Sequence, residues 1–138
     1  MATEMQATKN ITESEKITIN LGFVDLGQIE LLVREGFYSN RTDFIRTAIR
    51  NQIERHEDAV RQSAARRSLD LGLRRVTRHD LETVKARGET LALNVLGLAI
   101  IDPDVTAELA RDTIASLHVL GSLQASPAVK AALRDRIG

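Results

Sequence analysis

Residues 16–21, Lys-Ile-Thr-Ile-Asn-Leu, form the one clear period-2 run in the first half of the chain, with apolar side chains at 17, 19 and 21 and polar ones between. This run constrains the fold more than any other feature, because everything after it up to about residue 70 reads as helix. A strand cannot stand alone, since its N–H and C=O groups need partners. With no second strand nearby in the sequence, its natural mate is the same segment of a second copy.

The pattern changes period after Leu21. Leu26, Ile29, Leu32 and Val33 recur at helical spacing, and Gly36 supplies a stop. Asn40 is placed to cap a second helix, with Asp43 closing a capping box three residues on. Phe44, Ile45, Ala48, Ile49, Ile53 and Val60 mark its buried stripe. No Gly or Pro falls between Asn40 and Leu71, so the spacing predicts one helix of more than six turns. One strand and two helices in about 45 residues cannot bury their apolar faces unaided. Pairing two copies removes the difficulty. Strand 16–21 pairs antiparallel with its twofold mate, and Ile17, Ile19 and Leu21 join Ile45 and Ile49 in an intertwined dimer core. Lys16, Thr18 and Asn20 then face outward on a two-stranded ribbon, whose width suits the major groove of B-DNA.

The segment "KITINLGFVDLGQIELLVREGFYSNRTDFIRTAIRNQI" resembles a ribbon-helix-helix DNA-binding domain of the CopG type, also found in nickel-responsive repressors and ParD-like antitoxins. The alternating strand, the Gly36-Phe37 turn and "SNRTDFIRTAIR" carry the resemblance, over roughly residues 14–57. It implies that Lys16, Thr18 and Asn20 read bases, and that Asn40, Arg41 and Thr42 at the helix start anchor phosphate. Both roles suit these residue types. Lys donates to guanine, Asn pairs bidentately with adenine, and Thr offers a hydroxyl or packs its methyl on thymine. A helix N-terminus attracts phosphate through free N–H groups and its dipole.

Charge tempers this expectation. Formal net charge is zero, and residues 14–61 carry seven Lys/Arg against eight Asp/Glu. Weak nonspecific affinity follows, with several dimers acting together. Positive charge is instead concentrated between Arg61 and Arg78, where six arginines accompany one acid, Asp70. Arg66 and Arg67 are candidates for additional phosphate contacts.

The second half repeats itself. "LNVLGLAIIDPDVTAEL" from Leu93 and "LHVLGSLQASPAVKAAL" from Leu117 align at an offset of 24 residues, and "LGLRRVTRHDLETVKARG" from Leu71 is a weaker earlier copy. Each copy reads as a strand followed by a short helix. Strands are expected near 72–76, 92–100 and 117–123, with helix caps at Thr77 and Ser126 and, one repeat earlier, at Asp102 ahead of Pro103. The glycines at 97 and 121 permit a bend or a close backbone approach. A repeat of this length falls in the leucine-rich-repeat range.

The expected fold class is therefore α+β: a ribbon-helix-helix dimer followed by a small, leucine-rich-repeat-like layer of βα repeats. The expected organisation is a disordered arm at 1–14, a DNA-binding domain at 15–60, a helical Arg-rich linker at 61–70 and an oligomerisation domain at 71–138. The expected partners are double-stranded DNA, a second copy through the strand, and further copies through 71–138.

Chemistry is sparse. There is no cysteine, which excludes disulfides and thiolate metal sites. His56, His79 and His118 stand isolated, so neither a metal nor any other cofactor is expected, and no nucleophile or acid–base pair marks an enzyme. No apolar run approaches the roughly 20 residues of a membrane span, and the first residues lack signal-peptide order, so a cytoplasmic protein is expected. The leading function is a sequence-specific transcriptional regulator, a repressor. An antitoxin of a toxin–antitoxin pair and a DNA-binding partition protein are the alternatives.

Overall fold

A computed structural model describes residues 14–138, so all of the expected arm except Ser14 lies outside the described residues. The chain divides into two compact units, Lys16–Ser63 and Ala64–Gly138.

The first unit holds two helices, α1 (Phe23–Arg34) and α2 (Arg41–Arg55), and the start of a third, α3 (Glu57–Arg66). Helix α1 ends as Gly36 foretells. Gly36 takes φ +85°, its N–H donates to the Val33 carbonyl, and the Phe37 N–H donates to the Leu32 carbonyl. That pair of reversed bonds satisfies carbonyls which the helix end leaves orphaned. Helix α2 starts at the predicted cap: the Asn40 Oδ1 accepts from the Asp43 N–H at 2.8 Å. The box closes one residue further out than expected, because the Asp43 carboxylate accepts from the Ser39 N–H, at 2.9 Å. Tyr38 packs edge-on against Phe44, with ring centroids 5.0 Å apart, and fixes the entry to α2.

The expectation of one unbroken helix from Asn40 to Leu71 is corrected. Helix α2 stops at Arg55, His56 leaves helical geometry (φ −105°, ψ 14°), and α3 restarts at Glu57 and ends at Arg66. Residues 61–70 are thus helical only to Arg66. Ser68 then takes φ +54° and a strand begins at Asp70.

The second unit is built on a three-stranded parallel sheet in the order β1 (Asp70–Val76), β2 (Leu91–Ile101), β3 (Ile114–Gln124). Each strand is followed by a helix: α4 (Arg78–Ala86), α5 (Ala107–Thr113) and α6 (Pro127–Ala132). The sequence repeat is the structural register. Leu93 pairs with Leu117, Val95 with Val119, Leu96 with Leu120 and Gly97 with Gly121. The later repeat positions Val105, Leu109, Val129 and Leu133 are all buried, and join Val76, Leu81, Leu93, Ile101, Ile114 and Leu117 in one core. Thr113 is buried with them and satisfies its hydroxyl by donating to the Leu109 carbonyl at 2.6 Å.

The caps follow local chemistry with one exception. Thr77 and Asp80 form a full capping box, and Ser126 caps α6 with Pro127 in its first turn. Helix α5, however, is capped by Thr106 and not by Asp102. The Asp102 carboxylate is held instead by Arg75, whose Nε donates at 2.7 Å, and its N–H donates to the Val76 carbonyl.

The two longer strands cover eleven residues each, more than the short strands expected. Drawn straight, such a strand would span about 33 Å. The return from β2 to β3 has only residues 102–113, with seven in a helix that advances about 10 Å. At the centre of the sheet, Gly72, Gly97 and Gly121 take φ +119°, +138° and +127°, a region closed to side chains. They are mutual partners across the sheet, forming one corner line.

Candidate nucleic-acid interface

The candidate DNA-contacting residues of the first unit fall into two groups, which the structure partly joins. Lys16, Thr18 and Asn20 lie on an extended segment ahead of α1 and are all exposed. In the single chain this segment makes no strand, as its expected mate is a second copy. Asn40, Arg41 and Thr42, also exposed, sit at the start of α2.

A cleft of about 400 Å³ connects the groups. It is lined by Ile19, Asn20 and Leu21 from the segment, Leu26 and Ile29 from α1, and Arg41, Thr42 and Ile45 from α2. Asn20 thus shares one depression with Arg41 and Thr42, over an apolar floor. Lys16 and Thr18 lie outside it.

Roles at the helix start divide further. The Asn40 oxygen is committed to the cap, so it holds the α2 terminus in shape and leaves the anion-attracting N–H groups of the first turn to Arg41 and Thr42. Arg41 has a neighbour that the sequence pattern gave no hint of: Glu30 on α1, 3.7 Å away, with both side chains more than half exposed. Such a pair is weak and exchangeable, and the guanidinium can turn to a phosphate at little cost. Arg66 and Arg67, the proposed extra contacts, belong to the second unit, at and just past the end of α3.

The expected dimer-core residues are uncovered in the single chain. Ile17 is 79% exposed, Ile19 62%, and Leu21 and Ile49 are also exposed, while Ile45 is partly buried. Ile29, at 7%, is the only buried residue of Lys16–Ser63. The second unit, by contrast, closes its own core.

Among the described residues no three His, Cys, Asp or Glu side chains gather where they could hold a metal ion, and no helix is long and apolar enough to cross a membrane. No curated protein and no solved structure matches the chain. A family model does, over residues 12–130, which takes in the extended segment, α1 to α3 and nearly all of the βα repeats. The family therefore covers both units, well beyond the 14–57 stretch that carries the sequence resemblance, and its members are DNA-binding transcriptional regulators, in general without enzymatic activity. With that match across most of its length, the chain belongs to the ribbon-helix-helix transcriptional regulator family.

Proposed function

We propose that the protein is a sequence-specific repressor that binds DNA as a dimer. Residues 16–21 of two copies pair as an antiparallel ribbon in the major groove, with Lys16, Thr18 and Asn20 on base edges. Arg41 and Thr42, shaped by the Asn40 cap, anchor phosphate on either side and set the register without reading sequence. The second unit joins neighbouring dimers as a short solenoid in the leucine-rich-repeat manner.

One observation carries the reading: a unit of 48 residues (Lys16–Ser63) with a single buried side chain is not a finished fold. Of its uncovered side chains, Ile19 and Leu21 line the cleft, and a second copy of the same segment supplies both the missing strand partner and the missing hydrocarbon. The separate core of the second unit favours a regulator over an antitoxin, whose toxin-binding part would be a short tail without a core of its own.

Two substitutions test the reading together. Asn20→Ala weakens specific binding by roughly 1–3 kcal/mol and relaxes preference at one base pair per half-site, with melting temperature unchanged. Ile19→Ala removes a side chain that the dimer buries, and lowers stability by about 2–5 kcal/mol, with DNA binding lost alongside. An Ile19→Ala protein as stable as the wild type would mean that Ile19 stays in water, and the ribbon reading would fall.

A further inference from the structure

The glycine corner of the second unit has a direction. Each interior glycine is pressed by the main chain of the strand before it: an added Cβ on Gly97 would lie 2.2 Å from the Gly72 carbonyl oxygen, and one on Gly121 would lie 2.0 Å from the Gly97 carbonyl oxygen. The carbonyls at the corner therefore point from β1 toward β2 and from β2 toward β3. Gly72 keeps the same left-handed conformation as its partners, yet nothing lies within 4 Å of the flank where a carbonyl would arrive. At the other end, the repetition aims the Gly121 carbonyl off the open side of β3. The sheet thus has a receiving edge and a delivering edge of matching shape.

We infer that a second copy of this chain docks there head to tail, its β3 adding in parallel to β1, with Gly121 of one copy against Gly72 of the next. The inference rests on the self-association reading above and specifies its joint. Carrying the β2–β3 register across the joint sets Leu120 of one copy beside Leu71 of the next, and Ser122 beside Leu73. Leu71 is 78% exposed and Leu73 55%, although they continue the rows of Leu96 and Leu98, and Leu120 ends its row 42% exposed. The joint extends those rows and covers both ends. It also avoids opposed charge, since Arg74 and Arg75 meet Leu123 and Gln124. Ile137 pairs with Leu117, and the Gly138 N–H donates to the Leu117 carbonyl, below the 119–124 stretch that the incoming strand would occupy. Head-to-tail contacts leave one free edge of each kind, so they build rows and not closed twofold pairs. A row of second units would hold several ribbons on one stretch of DNA, raising the effective concentration of a weakly charged reader.

The chain has no cysteine, so disulfide trapping in the full-length protein reads the joint directly. Within one chain, positions 71 and 120 are two strand spacings apart, about 9.6 Å, beyond the roughly 7 Å that a disulfide bridges. The double variant Leu71→Cys/Leu120→Cys is therefore expected to oxidise into a ladder of covalent multimers, at least about tenfold faster than either single variant. A mixture of the two single variants should give a covalent dimer and stop. Both positions are exposed, so neither substitution empties the core. A covalent dimer from Leu71→Cys alone would mean that β1 pairs with β1, and the proposal would be wrong. It would equally be wrong if the double variant cross-linked no faster than the singles. Operator binding and solution mass of the same reduced proteins report separately: DNA binding intact, or mass above a dimer, with no ladder removes this joint and leaves the wider reading standing.

Discussion

Gly97→Ala separates two causes that a strand glycine usually confounds. Position 97 has φ +138°, so alanine there is strained whatever surrounds it, at a cost of about 1–3 kcal/mol. The added methyl also meets backbone, with the Gly72 oxygen at 2.2 Å and its carbonyl carbon at 3.0 Å. Main-chain atoms in a ladder cannot step aside singly. Restoring ordinary contact moves β1 and β2 apart by about 1 Å, which takes N–H···O bonds near 2.9 Å out of hydrogen-bonding range. Two or three ladder bonds lost at about 1 kcal/mol each bring the total to roughly 3–6 kcal/mol. That is a large share of the 5–15 kcal/mol that holds an ordinary domain.

Gly72→Ala is the control. Its φ of +119° imposes the strain, but its flank is open, so only the first cost applies. Gly121→Ala, with its Cβ 2.0 Å from the Gly97 oxygen, should behave like Gly97→Ala but loosen β3. Urea unfolding followed by far-ultraviolet circular dichroism, at one fixed low protein concentration, measures all three. The expected order is Gly121→Ala and Gly97→Ala well below Gly72→Ala, and Gly72→Ala modestly below wild type. If Gly97→Ala and Gly72→Ala cost the same within about 1 kcal/mol, the carbonyl contact is not what requires glycine, and the directional corner disappears with it.

Two further outcomes follow from charge. Hydrogen bonds from the Thr77 backbone N–H and side chain hold the Asp80 carboxyl below its usual range. A carboxylate depressed in the folded state stabilises fully above its unfolded value of about 3.9 and loses that contribution as pH falls through the folded value. The melting-temperature gap between wild type and Asp80→Asn should therefore be constant from pH 7 to about 5 and narrow below about pH 4; a gap that widens in acid would refute the assignment. Arg66→Glu/Arg67→Glu should make the slope of log affinity against log salt shallower, if these side chains reach flanking phosphate, and an unchanged slope would remove that role.

What the sequence made legible was local. The caps at Asn40, Thr77 and Ser126 were readable because each is one side chain bonding a backbone N–H three residues on. The break at His56 carries no Gly or Pro, and its one local signal is the start marked by Glu57 and Asp58, two acids in the first turn of α3. Asp102 is the opposite case: its partner Arg75 lies 27 residues away, and no local pattern shows it. The Gly97–Gly121 repeat stood out at its offset of 24, whereas Gly72 pairs with Gly97 at 25 and blurred the first copy. Left-handed geometry at all three was beyond sequence reading, because it shows only once the strands pair and the main chain of one presses on the glycine of the next. The candidate site was legible as residue types on a period-2 run, and the cleft that joins Asn20 to Arg41 and Thr42 was not.

The two units are incomplete in different ways, and this bears on how a neutral chain could hold DNA. The first lacks hydrocarbon cover for Ile17, Ile19 and Ile49, a deficit that the proposed twofold partner would remove. The second closes its core but keeps two unlike edges, which a twofold partner cannot satisfy together and a row can. On the proposed reading, with one closing contact and one repeating contact, the chain would assemble as a row of dimers. Since residues 14–61 carry no net positive charge, affinity then has to come from the number of ribbons engaged, and not from the phosphate attraction of each. Loss of the second contact should consequently weaken binding to tandem sites far more than to a single site, whereas loss of Asn20 should weaken both by a similar factor per ribbon.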